Sequence, residues 1–95
     1  MENLKSLNFF FDAIRNNGRV GTTHIGIYAA LLQLKADQGG QEPITFFSGD
    51  VMKVAKIASP TTFHRCIRDL ADYGLIRYER SYNRFKGSKI YLELE

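Results

Sequence analysis

A chain of 95 residues with 44% hydrophobic residues, a single cysteine and a net charge of +3 has the size and composition of one small domain with one compact core. The single cysteine excludes an internal disulfide and a cysteine-rich zinc site. No stretch approaches the roughly 20 apolar residues of a membrane span. The apolar trio Phe9–Phe11 is cut short by Asp12 and Arg15, so it is no signal-peptide core; a cytoplasmic protein is the expectation.

The first predicted element is a helix from about Leu4 to Arg15, an N-terminal extension within residues 1–18. Leu4, Leu7, Phe11 and Ile14 recur at spacings of three and four and form its apolar stripe. Phe9 and Phe10 lie off that stripe and call for a second surface, either the core or another subunit. A homodimer through Leu4, Leu7, Phe9, Phe10 and Phe11 is therefore expected. Asn16-Asn17-Gly18 ends the helix with residues that tolerate left-handed geometry.

A second helix begins at Thr22 or Thr23, either of which suits a cap, and stops near Asp37 before Gly39-Gly40. Ile25, Tyr28, Ala29, Leu32 and Ala36 form one stripe, widened by Ile27, Leu31 and Leu34, so this helix is expected at the centre. Glu42-Pro43 opens an extended segment, Ile44–Phe47, that suits a short strand. Ser48 is the expected cap of a third helix reaching about Lys56, with Asp50 near its N-terminus and Val51, Val54 and Ala55 inward. Ser59-Pro60 then places a cap and a first-turn proline at the head of a fourth helix, which runs to about Tyr73 and ends at Gly74. Phe63, Ile67 and Leu70 make its inner stripe, with Cys66 and Ala71 flanking; Thr61, Thr62, His64, Arg65, Arg68 and Asp72 point outward. Ile76, Tyr78 and Arg80 alternate with Arg77 and Glu79, and Ile90, Leu92 and Leu94 with Tyr91 and Glu93. These are two half-buried strands joined by a loop over 81–88.

Charge is unevenly placed along this order. Residues 77–90 hold Arg77, Arg80, Arg84, Lys86 and Lys89 against Glu79, a local +4, whereas residues 1–76 hold eight basic and seven acidic side chains, or +1. Positive charge on the hairpin points to a polyanionic partner there. Chemistry-bearing residues are sparse. His24, His64 and Cys66 make no metal-ligand spacing, and no nucleophile, base and orienting group stand at motif spacing. No cofactor and no enzymatic activity are expected.

Asp50-Val51, Ile57-Ala58-Ser59, Thr61-Thr62-Phe63, Ile67, Leu70 and Tyr73-Gly74-Leu75-Ile76 together resemble the winged helix-turn-helix pattern over about half of the chain. The likeness is nearest to small winged-helix proteins of bacterial mobile elements and to the N-terminal DNA-binding domains of phage replication organisers. It implies an α+β fold: a helical core over 22–76 containing a helix-turn-helix at 48–73, and a wing hairpin over 76–94. It also implies sequence-specific binding of double-stranded DNA, in transcription or in mobile-element excision or replication. Thr61, Thr62, His64, Arg65 and Arg68 would then lie in or beside the major groove, Arg65 as the guanine reader and Arg68 on phosphate. Arg80, Arg84, Lys86 and Lys89 would hold the flanking backbone, and Tyr82 and Phe85 would pack on sugars. The alternative is a winged helix that uses the same surface to bind another protein.

Overall fold

The computed structural model describes residues 2–82 and 86–92, and side chains from residue 5 onward. Among these the chain forms four helices and three strands: α1 (Glu2–Ile14), α2 (Thr22–Asp37), β1 (Ile44–Phe46), α3 (Ser48–Ala55), α4 (Pro60–Asp72), β2 (Arg77–Glu79) and β3 (Ser88–Tyr91). The strands make one antiparallel sheet in the order β1-β3-β2. This small α+β arrangement is compatible with the winged-helix expectation. No helix among the described residues is long and apolar enough to cross a membrane.

The core is built around α2. Ile27 and Leu31 are fully buried, with Tyr28, Ala30 and Leu32 beside them, and they meet Val51 of α3, Phe63, Cys66, Ile67 and Leu70 of α4, and Ile44 and Ile90 of the sheet. Each large apolar side chain so covered stabilises the fold by about 1.5–3 kcal/mol. The stripe is displaced from the expected one: Ala29 and Ala36 are exposed, Ile27 and Leu31 form its centre, and Leu34 is half-buried.

On α1 the inward residue is Phe10, fully buried and stacked on Tyr28 with ring centroids 4.1 Å apart. Leu7, Phe10 and Ile14 follow each other at three and four residues, which is one face of a helix. Phe11 lies to the side of that face and is 44% exposed; Phe9 is 48% exposed. Of the residues expected at a subunit contact, Leu7 and Phe10 are therefore spent on the chain's own core, and the side chain of Leu4 lies outside the described residues. The helix does not end in left-handed geometry. Asn17 acts through its side chain instead, whose Oδ1 accepts the Arg19 N–H at 3.0 Å.

Several ends differ from expectation for local reasons. The cap of α2 is Gly21, one residue before the threonines, and His24 three positions on accepts the Gly21 N–H on Nδ1 at 3.0 Å. That is the returning half of a capping box, with histidine in place of the usual Glu or Gln. At α3, Phe47 is the cap and makes no side-chain bond, so Ser48 is the first helical residue. Val54, expected inward, is 56% exposed. Val51, Met52 and Ala55 span one side of this two-turn helix, and at about 100° per residue Val54 falls outside it.

The fourth helix follows expectation closely. Ser59 Oγ accepts the Thr62 N–H at 3.2 Å, Pro60 occupies the first turn, and Gly74 takes a φ of 75°. The Leu75 and Gly74 N–H groups then reach back to the carbonyls of Leu70 and Ala71. This closure needs a left-handed residue at position 74.

β3 begins earlier than expected because β1 supplies it with a partner: Phe46 pairs with Ser88 and Ile44 with Ile90. Gly87, just before it, passes so close to β1 that a Cβ there would stand 2.7 Å from the Phe46 carbonyl oxygen. On the other edge of β1, the Gln38 carboxamide donates to the Thr45 carbonyl oxygen and accepts the Thr45 N–H. A side chain thus covers backbone groups that an edge strand would otherwise present to another chain.

Candidate nucleic-acid interface

Helical spacing sends Phe63, Cys66, Ile67 and Leu70 of α4 into the core, leaving Thr61, His64, Arg65 and Arg68 exposed on the opposite side. Thr62 is half-buried at the flank, and its N–H is taken by the Ser59 cap. Six wing residues, Arg80, Tyr82, Arg84, Phe85, Lys86 and Lys89, were expected to accompany them, and their placement is uneven. Arg80 and Tyr78 follow the inward parity of β2, since Tyr78 pairs with the fully buried Ile90. They stand beside α4, where Thr61, His64, Arg68, Tyr78 and Arg80 line one open groove of about 310 Å³. Lys89 has the opposite parity. It pairs with Glu79 and shares the outer sheet face with Arg77, Tyr91 and Thr45. On that face the Arg77 guanidinium lies 4.0 Å from the Tyr91 ring centroid, a cation–π contact. Lys86 is exposed, Tyr82 projects into solvent with Arg80 5.4 Å from its ring, and Arg84 and Phe85 lie outside the described residues.

Every described residue lining the groove can donate a hydrogen bond, and none of them is a carboxylate. The acids of α4 do not neutralise its arginines in the way their sequence spacing allows. Asp69 turns to α2, where its Oδ2 lies 2.9 Å from His24 Nε2. Among the described residues neither Arg65 nor Arg68 forms an ion pair.

The His24–Asp69 bond ties the start of α2 to α4 across 45 residues of sequence, and Cys66 joins the pair. His24, Cys66 and Asp69 place their ligand atoms within 4.8 Å of one another. Sequence spacing gave no sign of this cluster, because its members come from two helices. The ring's environment assigns it a structural part. Nδ1 accepts from the Gly21 backbone, so a neutral imidazole carries its proton on Nε2 and donates it to Asp69. A metal on Nε2 would require a proton on Nδ1, directly against that backbone N–H. Burial pushes the Cys66 thiol up from its ordinary pKa, which leaves it a weak nucleophile and a weak ligand.

Two residues of this region were not singled out from sequence. His24 carries a local signal, the three-residue return to a helix cap. Tyr78 was legible as a half-buried strand residue, but its position over α4 depends on how the sheet packs. No family model matches the chain, and no curated protein and no solved structure matches it.

Proposed function

We propose that the chain is a winged helix-turn-helix that binds double-stranded DNA, with α3 and α4 as the helix-turn-helix and β2–β3 as the wing. In this reading it serves transcription or mobile-element excision or replication. α4 enters the major groove, Arg65 reads a guanine edge, and Thr61, Thr62 and His64 sit near base edges or phosphate. Arg68, Arg80, Lys86 and Arg84 hold the backbone. One observation carries the reading: the outer face of α4 and the adjoining end of β2 present arginines without ion-pair partners among the described residues, around a groove lined only by donors. A duplex backbone is the polyanion that fits such a surface.

Anisotropy titrations of random duplexes at several salt concentrations test it. Binding should weaken on a log–log slope of about −0.9 per phosphate contacted. On a selected site, Arg65→Ala should cost about 1–3 kcal/mol and relax specificity at one base pair. No duplex binding at low salt overturns the proposal.

The exposed apolar residues Phe47, the cap of α3, and Val54 on α3, with Phe9 and Phe11 on α1, favour a second reading, a protein-binding winged helix. Retention of a protein partner at high salt, without duplex binding, would select it. Among the described side chains the homodimer proposal rests on Phe9 and Phe11, and sedimentation of the wild type against Phe9→Ser tests it.

A further inference from the structure

We propose that the groove between α4 and β2 is a preformed site for one tetrahedral oxyanion, which on duplex DNA is a single backbone phosphodiester gripped jointly by Arg68 and Arg80. The inference rests on the DNA-binding reading and adds to it a division of labour among the basic residues. Arg68 comes from α4 and Arg80 from the residue just past β2, and both line the same groove with Thr61, His64 and Tyr78. Among the described residues its lining carries two guanidinium groups, two hydroxyls and an imidazole, and no carboxylate. Guanidinium pairs bind phosphate oxygens through short, charge-assisted bonds, and hydroxyl donors complete the oxygen shell.

Arg65 is not part of the groove. Arg65 is left to address bases in this reading, while Arg68 and Arg80 set how far α4 and the wing straddle the backbone. Lys89 lies on the other sheet face, opposite Glu79, and takes no part in the grip. Among the described wing cations Arg80 is thus the one that acts with α4, and Lys89 acts apart from it.

Inorganic phosphate is the first probe. Isotope-labelled full-length chain is titrated with phosphate at constant ionic strength, with chloride as the balancing salt, and followed by NMR. Saturable shifts are expected at the Thr61, His64 and Tyr78 amides and at the Arg68 and Arg80 side-chain N–H groups. Arg68→Ala or Arg80→Ala should abolish them, and Arg65→Ala should leave them intact; all three positions are exposed, so the variants keep the fold.

A duplex double-mutant cycle is the second arm. Arg68→Ala and Arg80→Ala should each weaken binding about tenfold. The double variant should be little weaker than either single one, because both residues hold the same phosphate. Its salt slope should fall by about one unit rather than two. Absent or scattered phosphate shifts, or additive losses in the cycle, overturn the inference. Additive losses on a duplex that still binds leave the DNA reading standing. Localised phosphate shifts without duplex binding uphold the oxyanion site and remove the DNA reading.

Discussion

Lys35 and Arg68 are both cations on helices, yet their surroundings are opposite. Lys35 is buried in the last turn of α2. Its Nζ bonds Glu42 Oε2 at 3.1 Å, and Glu42 Oε1 accepts the Leu92 N–H at 3.0 Å. Arg68 is exposed on α4 and has no ion-pair partner among the described residues. The first region uses charge to join the end of α2, the entry to β1 and the end of β3. The second leaves charge in water beside a groove of donors. Burying a charge demands a partner within the fold, because the desolvation penalty is several kcal/mol per ion; an exposed arginine carries no such demand and stays available to an outside anion. The buried pair is tied to the fold because removing either partner strands the other, whereas the exposed arginine is left to the proposed anion.

The sharpest way to break this contrast is Lys35→Ala. It strands Glu42 in a buried site and should lower unfolding free energy by about 3–5 kcal/mol in denaturant titrations, whereas Arg68→Ala should stay within about 0.5 kcal/mol. Equal effects would remove the distinction.

The buried region should also respond to alkali. Burial, and then the charge of Glu42, raise the Tyr28 pKa from 10.0 to about 12. The raised value means that the neutral phenol is favoured in the folded state. Its contribution, on the order of 3 kcal/mol, is present below pH 10 and is lost as pH rises through about 12. Tyr28→Phe should flatten that alkaline decline, as read by unfolding free energy against pH.

Gly87→Ala connects the two regions. The added methyl meets the Phe46 carbonyl oxygen at 2.7 Å, so β3 must shift off β1 at a cost of about 1–3 kcal/mol. Both the thermal midpoint and duplex affinity should fall, because the same displacement moves the wing. The smallest and most discriminating effect compares Arg80→Ala with Lys89→Ala. The first should reduce the salt slope of duplex binding by about one unit and the second should leave it nearly unchanged, since Arg80 lines the groove beside α4 whereas Lys89 lies opposite Glu79 on the outer sheet face.

The local architecture was largely legible in advance because its causes are local. Ser59-Pro60 and Gly74 bound α4 through bonds that span a few residues, and the period-two pattern around Ile76 and Ile90 marked two strands. The misplacements share one physical reason. Phe10, not Phe11, is buried because Tyr28 of α2 offers it a ring to stack on, and no spacing within α1 contains that information. Val54 turned outward because α3 is short and only one of its sides meets α2 and α4.

The candidate site divides in the same way. Sequence by itself determined that Thr61, His64, Arg65 and Arg68 of α4 face outward, since helical periodicity sets them opposite Phe63, Ile67 and Leu70, while Thr62, also expected outward, is half-buried. It also placed excess positive charge in the hairpin. Strand alternation already set Arg80 and Lys89 on different faces, but alternation does not say which face lies against α4. Tertiary structure alone decided that: it put Arg80 and Tyr78 across a groove from Arg68 and His64, set Lys89 opposite Glu79 on the far side, and drew Asp69 toward His24. Periodicity fixes a side chain's direction relative to its own element; its neighbours follow from packing and register between elements distant in sequence.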